Sequence, residues 1–239
     1  MKTSFLLTGF ALIFLWGSAF TQTRQTIHSS DPQVNIEELA EPALLFLQED
    51  FEDARIIFAD GKVNEEKLRY HILLDEMQFL SRRGQVQNLS KRPAFERIEI
   101  GDKEFVYDPE ASYLQVLREG EVSLFLKRET RIDAQPIQRG AYGGVDRTSS
   151  IDVMDSFTTE TREVRFNNPG GQELEINLRY VETFLFEKNG ERAEIGSRRQ
   201  FLRAYREHRS ELRSFIRSND IDFDNPDDLV RLAEFLENL

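Results

Sequence analysis

From about residue 55 the chain runs in short apolar stretches separated by turn dipeptides: Asp60-Gly61, Gly101-Asp102, Glu119-Gly120 and Asn189-Gly190. This punctuation constrains the fold more than any other feature. Runs of strand length joined by tight glycine turns pair with their neighbours in antiparallel register. The spacing predicts strands over Arg55–Phe58, Lys67–Ile72, Glu76–Leu80, Glu96–Ile100, Glu104–Tyr107, Tyr113–Leu117 and Val122–Lys127. Strand text resumes at Arg162–Phe166, Leu174–Leu178 and Thr183–Phe186. The predicted class is α+β: an antiparallel meander curling into a roll or open barrel-like sheet, with two or three C-terminal helices packed on it.

The tail changes period. Ser197 and Gln200 form a capping box, and Phe201, Tyr205, His208, Leu212 and Phe215 recur at spacings of four and three, as on one face of a helix. A second helix is expected from Asn225 as cap, with Pro226 in the first turn, Asp227 and Asp228 at the positive dipole end, and Leu229, Val230, Ala233 and Leu236 facing inward. Between Asp133 and Thr161, Pro136, Gly140, Gly143, Gly144 and a Ser/Thr cluster leave few apolar residues, which predicts a mobile loop. Residues 23–35 are polar and are expected to be a flexible lead-in to a single domain over 36–239.

Residues 1–22 have the pattern of an export signal. Lys2 is followed by the apolar run Phe5–Trp16 and the small residues Gly17, Ser18 and Ala19, with cleavage expected after Ala19 or near Gln22. The run is short for a membrane span, and no later stretch is apolar enough to cross a bilayer. The expected location is therefore periplasmic, outer-envelope associated or secreted. There is no cysteine, which removes disulfides, thiolate metal sites and cysteine nucleophiles. A net charge of −12 argues against nucleic acid as a partner of the body of the protein.

No residue constellation identifies a reaction, a cofactor or a metal. The three histidines, His28, His71 and His208, are scattered, and there is no His-Glu-x-x-His, nucleophile elbow, phosphate loop or dinucleotide fingerprint. Counting an EF-hand from Asp220 puts Asn225 where glycine is needed and Arg231 where the bidentate glutamate is needed, so the aspartates read as a wet connector around inward-facing Ile221 and Phe223. The most unusual chemistry is a row of arginines. At 100° per residue, Arg199, Arg203, Arg206, Arg213 and Arg217 share a stripe opposite the apolar one. The ordinary expectation is a solvated face paired with Glu207, Glu211 or the acidic sheet; the alternative is an anion-binding site for an acidic glycan, lipid or envelope protein.

Asp60-Gly61-Lys62, Leu73-Leu74-Asp75-Glu76-Met77-Gln78-Phe79, Ile100-Gly101-Asp102 with Phe105 and Tyr107, Arg139-Gly140-Ala141-Tyr142-Gly143, and the Asp222-Phe223 step before the last helix resemble a family of uncharacterised exported bacterial proteins of Bacteroidota type. The resemblance spans most of the chain after residue 22. It implies export and one domain, and it carries no activity or catalytic residue. The expected function is a non-enzymatic binding or accessory module; the alternative is a hydrolase of an envelope or environmental polymer using carboxylates that no motif singles out.

Overall fold

A computed structural model describes residues 23–90, 95–110, 112–139, 145–146, 164–168 and 170–239. The predicted leader and most of the predicted 133–161 loop lie outside the described residues. The described chain opens with β1 (Arg24–Ser29), β2 (Gln33–Asn35) and the one-turn helices α1 (Ile36–Leu39) and α2 (Pro42–Leu45). Next come β3 (Glu52–Phe58), β4 (Val63–His71), β5 (Glu76–Leu80), β6 (Val86–Asn88), β7 (Phe95–Ile100), β8 (Lys103–Asp108), β9 (Ser112–Arg118) and β10 (Val122–Pro136). The short strands β11 (Gln138–Arg139), β12 (Val145–Asp146) and β13 (Arg165–Asn167) lead to β14 (Leu174–Lys188) and β15 (Glu191–Ile195). The tail holds α3 (Arg198–Ala204), a 3₁₀ turn at Arg206–His208, α4 (Arg209–Ser218) and α5 (Pro226–Glu237).

Eleven strands form one antiparallel sheet in the order β1-β14-β10-β9-β8-β7-β3-β4-β5-β6, with β15 beside β14 as well. The expected glycine turns join the meander. Asn189 and Gly190, at φ 57° and 77°, supply the two left-handed residues of a tight β14–β15 hairpin. The α+β class stands. The barrel does not: β6 at one edge and β1 with β15 at the other do not pair, so the sheet stays open.

The sheet nevertheless curls. Tyr70 of β4 lies four strands from Tyr113 of β9, about 19 Å along a flat sheet, yet their ring centroids are 5.7 Å apart. Asp75, in the left-handed region at φ 52°, accepts hydrogen bonds from the Tyr70 hydroxyl (2.9 Å) and the Tyr113 N–H (3.4 Å), tying the β4–β5 turn to β9. Residues 44–47 fill the seam. Leu47 N–H and Leu45 C=O bond to β4 and to Ile72 beyond it, while Leu44 C=O accepts from Thr130 Oγ of β10 at 2.5 Å.

Two sequence expectations change here. Residues 24–29 and 33–35 are strands, not a lead-in: β1 pairs with Leu174–Arg179, β2 pairs with β13, and Ile27 and Val34 are buried. Residues 133–136 likewise complete β10 rather than opening a loop. The physical cause is the fifteen-pair β10–β14 ladder, from Val122↔Lys188 to Pro136↔Leu174, which offers β14 as an edge for β1.

That ladder also organises the inner face. Leu124/Phe186 and Leu126/Phe184 lie at one end, Ile132/Leu178 and Ala134/Ile176 at the other. Arg128 sits between them, meeting Glu182 (3.0 Å) and Gln115 (2.5 Å), while the Tyr180 hydroxyl donates to Glu182 (2.8 Å). This polar belt separates an apolar cluster under the tail helices from one under the N-terminal strands.

His71 is packed into the seam, with the Phe46 ring edge-on at 4.6 Å and its Nδ1 accepting from Leu74 N–H. Burial, and then the neighbouring Arg69 guanidinium, hold its pKa down to about 4 from 6.5. The native state keeps the imidazole neutral while the unfolded chain takes a proton, so stability is full above about pH 6.5 and falls as the pH drops toward 4. Unfolding titrations of wild type and His71→Gln should show wild type losing about 3 kcal/mol more than the variant between those values. Parallel curves would contradict the assignment.

Candidate functional site

The tail holds three helices, within the expected two or three; the stretch that the periodicity gives as one helix, after Ser197, is divided into α3 and α4. Ser197 Oγ caps α3 by accepting from Gln200 N–H (3.3 Å), and Gln200 Oε1 accepts from Gly196 N–H (2.8 Å). At Tyr205 the backbone leaves the helical region (φ −109°, ψ 53°), and a 3₁₀ turn redirects the chain into α4. Leu202, about 100° from the expected apolar stripe, is buried along with Phe201, Leu212 and Ile216. His208, on that stripe in a straight helix, is only half-buried.

The break changes what the arginines can do. On a straight helix Arg198 and Arg209 would point toward the apolar side; bent at Tyr205, the tail brings both out among the others. A hollow of about 660 Å³ is lined by Arg199, Leu202, Arg203, Ala204, Arg206 and Arg209. A second, of about 500 Å³, is lined by Arg198, Arg199, Leu202, Arg209, Arg213 and Arg217. All five arginines of the expected stripe therefore line one or both hollows. Two more join them that the helical wheel missed, because no Gly or Pro marks the bend.

All seven guanidinium-bearing residues are exposed. Among the described residues none of the seven makes a side-chain ion pair or hydrogen bond. The expected partners do not reach them: Glu211 accepts from Ser210 at 2.7 Å, and Glu207 stands exposed. The sheet is different. Arg55 meets Glu99 (2.7 Å), Arg128 meets Glu182 (3.0 Å), and Arg192 meets Asp108 (2.6 Å) and Glu187 (2.8 Å). Arg97 pairs with Glu104 and Glu119, and Arg118 with Glu237. Unpaired guanidinium groups converging on a hollow can take carboxylate, sulfate or phosphate in bidentate fashion.

Placement in the helices adds to the strain. Arg198 and Arg199 occupy the first turn of α3 and Arg209 opens α4, where the backbone dipole disfavours cations. Arg199/Arg203, Arg209/Arg213 and Arg213/Arg217 are like-charge pairs one turn apart, each costing about 0.2–0.5 kcal/mol. Burial of Leu202, Leu212 and Ile216, at about 1.5–3 kcal/mol each, outweighs that cost and keeps the helices docked with the charges outward.

Carboxylates also gather, on the outer side of β3, β4 and β7. A hollow of about 700 Å³ there is lined by Asp53, Glu65, Glu66 and Glu99 with Arg55 and Lys67. Two of these acids are engaged: Asp53 with Lys67 (3.3 Å) and Glu99 with Arg55 (2.7 Å). In the connector before α5, Ile221 is buried and Asp220, Asp222 and Asp224 are exposed, as expected. Among the described residues no group of three or more His, Asp or Glu side chains is placed to hold a metal ion.

If the arginines are held apart by the core rather than matched to internal partners, removing them should stabilise the free protein. Arg199→Gln combined with Arg209→Gln should raise the thermal midpoint at low ionic strength, and the gain should shrink in high salt. A lowered midpoint would mean that internal ion pairs had been broken. Compared with protein families, curated proteins and solved structures, the chain matches none.

Proposed function

We propose that this chain is an exported binding or accessory module that works by contact, holding the anionic groups of an acidic envelope partner on the α3–α4 face. The observation that carries this reading is the set of seven arginines, unpaired among the described residues, around two hollows, in a chain of net charge −12 whose sheet arginines largely meet carboxylates. Residues 198–217 hold seven arginines against two glutamates. An acidic body would repel an acidic surface, so local concentration of positive charge provides a way to engage one in a fixed orientation. Export is supported by Lys2, the apolar run Phe5–Trp16 and the small residues after it.

The test is chromatography of the chain from residue 23 on a sulfated polysaccharide matrix. Wild type should be retained at low ionic strength despite its net charge, and salt should elute it. Replacing Arg203, Arg206 and Arg213 by Gln should move it into the flow-through. Equal, salt-insensitive retention of both proteins would overturn the reading.

A further inference from the structure

We infer that the ligand of the arginine face is a linear acidic polysaccharide, held along a track and not at a point. This rests on the anion-binding reading above and adds the ligand's shape and class. The two arginine hollows share Arg199, Leu202 and Arg209, so they adjoin. A third hollow, of about 580 Å³, lies between the β14–β15 hairpin and the 3₁₀ corner and shares Ala204 and Arg206 with the first. Each has the volume of an ordinary small-molecule pocket. Joined through common walls, the three form a path from Arg217 past Arg199 and Arg209 to Arg206 and Tyr205.

The path has the repeat of a chain-like ligand. Arg209, Arg213 and Arg217 follow one another by four residues, about 6 Å per step along the helix, with Arg199 and Arg203 a similar pair on α3. A polymer with one carboxylate per sugar presents charge at a comparable regular interval. Tyr205 lines the third hollow; its half-buried ring is wedged against Phe201 (5.0 Å) and Phe186 (6.4 Å). A fixed aromatic beside Arg206 and Lys188, in a hollow also lined by Glu191 and Glu207, offers an apolar platform for a sugar ring where the row of arginines ends.

Other polyanions fit less well. Surface helices that enter lipid need an exposed apolar face, but Leu202 is 7% exposed and the exposed large apolar residues, Leu39, Val63, Leu80, Val86 and Leu239, lie off the track. Single-stranded nucleic acid is bound on successive stacking aromatics, and the rings lining these hollows, Tyr205 and His208, both belong to the third, with none beside the arginines of the other two.

The experiment is titration calorimetry of the chain from residue 23 with oligogalacturonates of one, two, four and eight units. Inorganic sulfate, phosphatidylglycerol vesicles, oligodeoxythymidylate and polyglutamate serve as separate arms. Affinity should rise about tenfold or more from the dimer to the octamer as further arginines are engaged. Arg206→Gln and Arg217→Gln, toward opposite ends of the track, should each weaken the octamer severalfold and the dimer less. Affinity independent of length would overturn the track, as would tighter binding of vesicles, oligodeoxythymidylate or polyglutamate than of the octamer. If other anions bind through the arginines and the octamer does not, the polysaccharide falls while the anion-binding face stands. If no anion depends on the arginines, both fall. Salt-sensitive dimerisation lost in the arginine variants would place a second copy's acidic sheet on the face and overturn the inference.

Discussion

The docking of the tail on the β10–β14 ribbon is the interaction on which the rest depends. Leu124, Leu126, Phe184 and Phe186 present an apolar strip at one end of the ribbon, and Phe201, Leu202, Leu212, Ile216, Leu229, Leu232 and Leu236 close over it. Phe186 and Phe201 meet edge to face with centroids 5.1 Å apart. Burial on this scale decides which sides of α3 and α4 face inward. The arginines are left outward, and among the described residues no carboxylate of the sheet meets them.

Charge is consequently divided across the molecule. On the sheet, cross-strand neighbours bring opposite charges together, as Arg55 and Glu99 do in register on β3 and β7. Arg128 and Glu182 do the same on the inner face, where Tyr180 and Gln115 complete the hydrogen bonding that a buried pair needs. The stretch from α3 to α4 carries seven arginines against two glutamates, Glu207 and Glu211, and neither glutamate pairs with an arginine among the described residues. An exposed guanidinium row adds nothing to folding and opposes it through like-charge contacts, which fits a surface kept for an external partner.

Much of the meander was legible because its turns are local chemistry. Glu76–Leu80 was read to the residue, and the β7–β8 and β9–β10 hairpins to within a residue or two at most of their ends. The sequence divides the long strand β14 in two, because Arg179 and Glu182 interrupt its apolar residues. The partner that satisfies Glu182 on the inner face, Arg128, lies 54 residues earlier. Residues 23–35 looked flexible because a strand completing an existing edge needs few buried side chains; here Ile27 and Val34 suffice. The bend at Tyr205 was hidden because tertiary packing, not a helix breaker, produces it. That bend is why Arg198 and Arg209 were missed, and why a stripe was expected where two adjoining open hollows stand.

The division of arginines into free and engaged classes can be measured directly by phenylglyoxal modification followed by peptide mass spectrometry. Arg199, Arg203, Arg206, Arg209, Arg213 and Arg217 should react fast, Arg118 and Arg128 slowly, and an acidic oligosaccharide should protect the first group alone. Modification of the tail arginines no faster than of Arg128 would contradict the account, since it would mean that the face is covered from within.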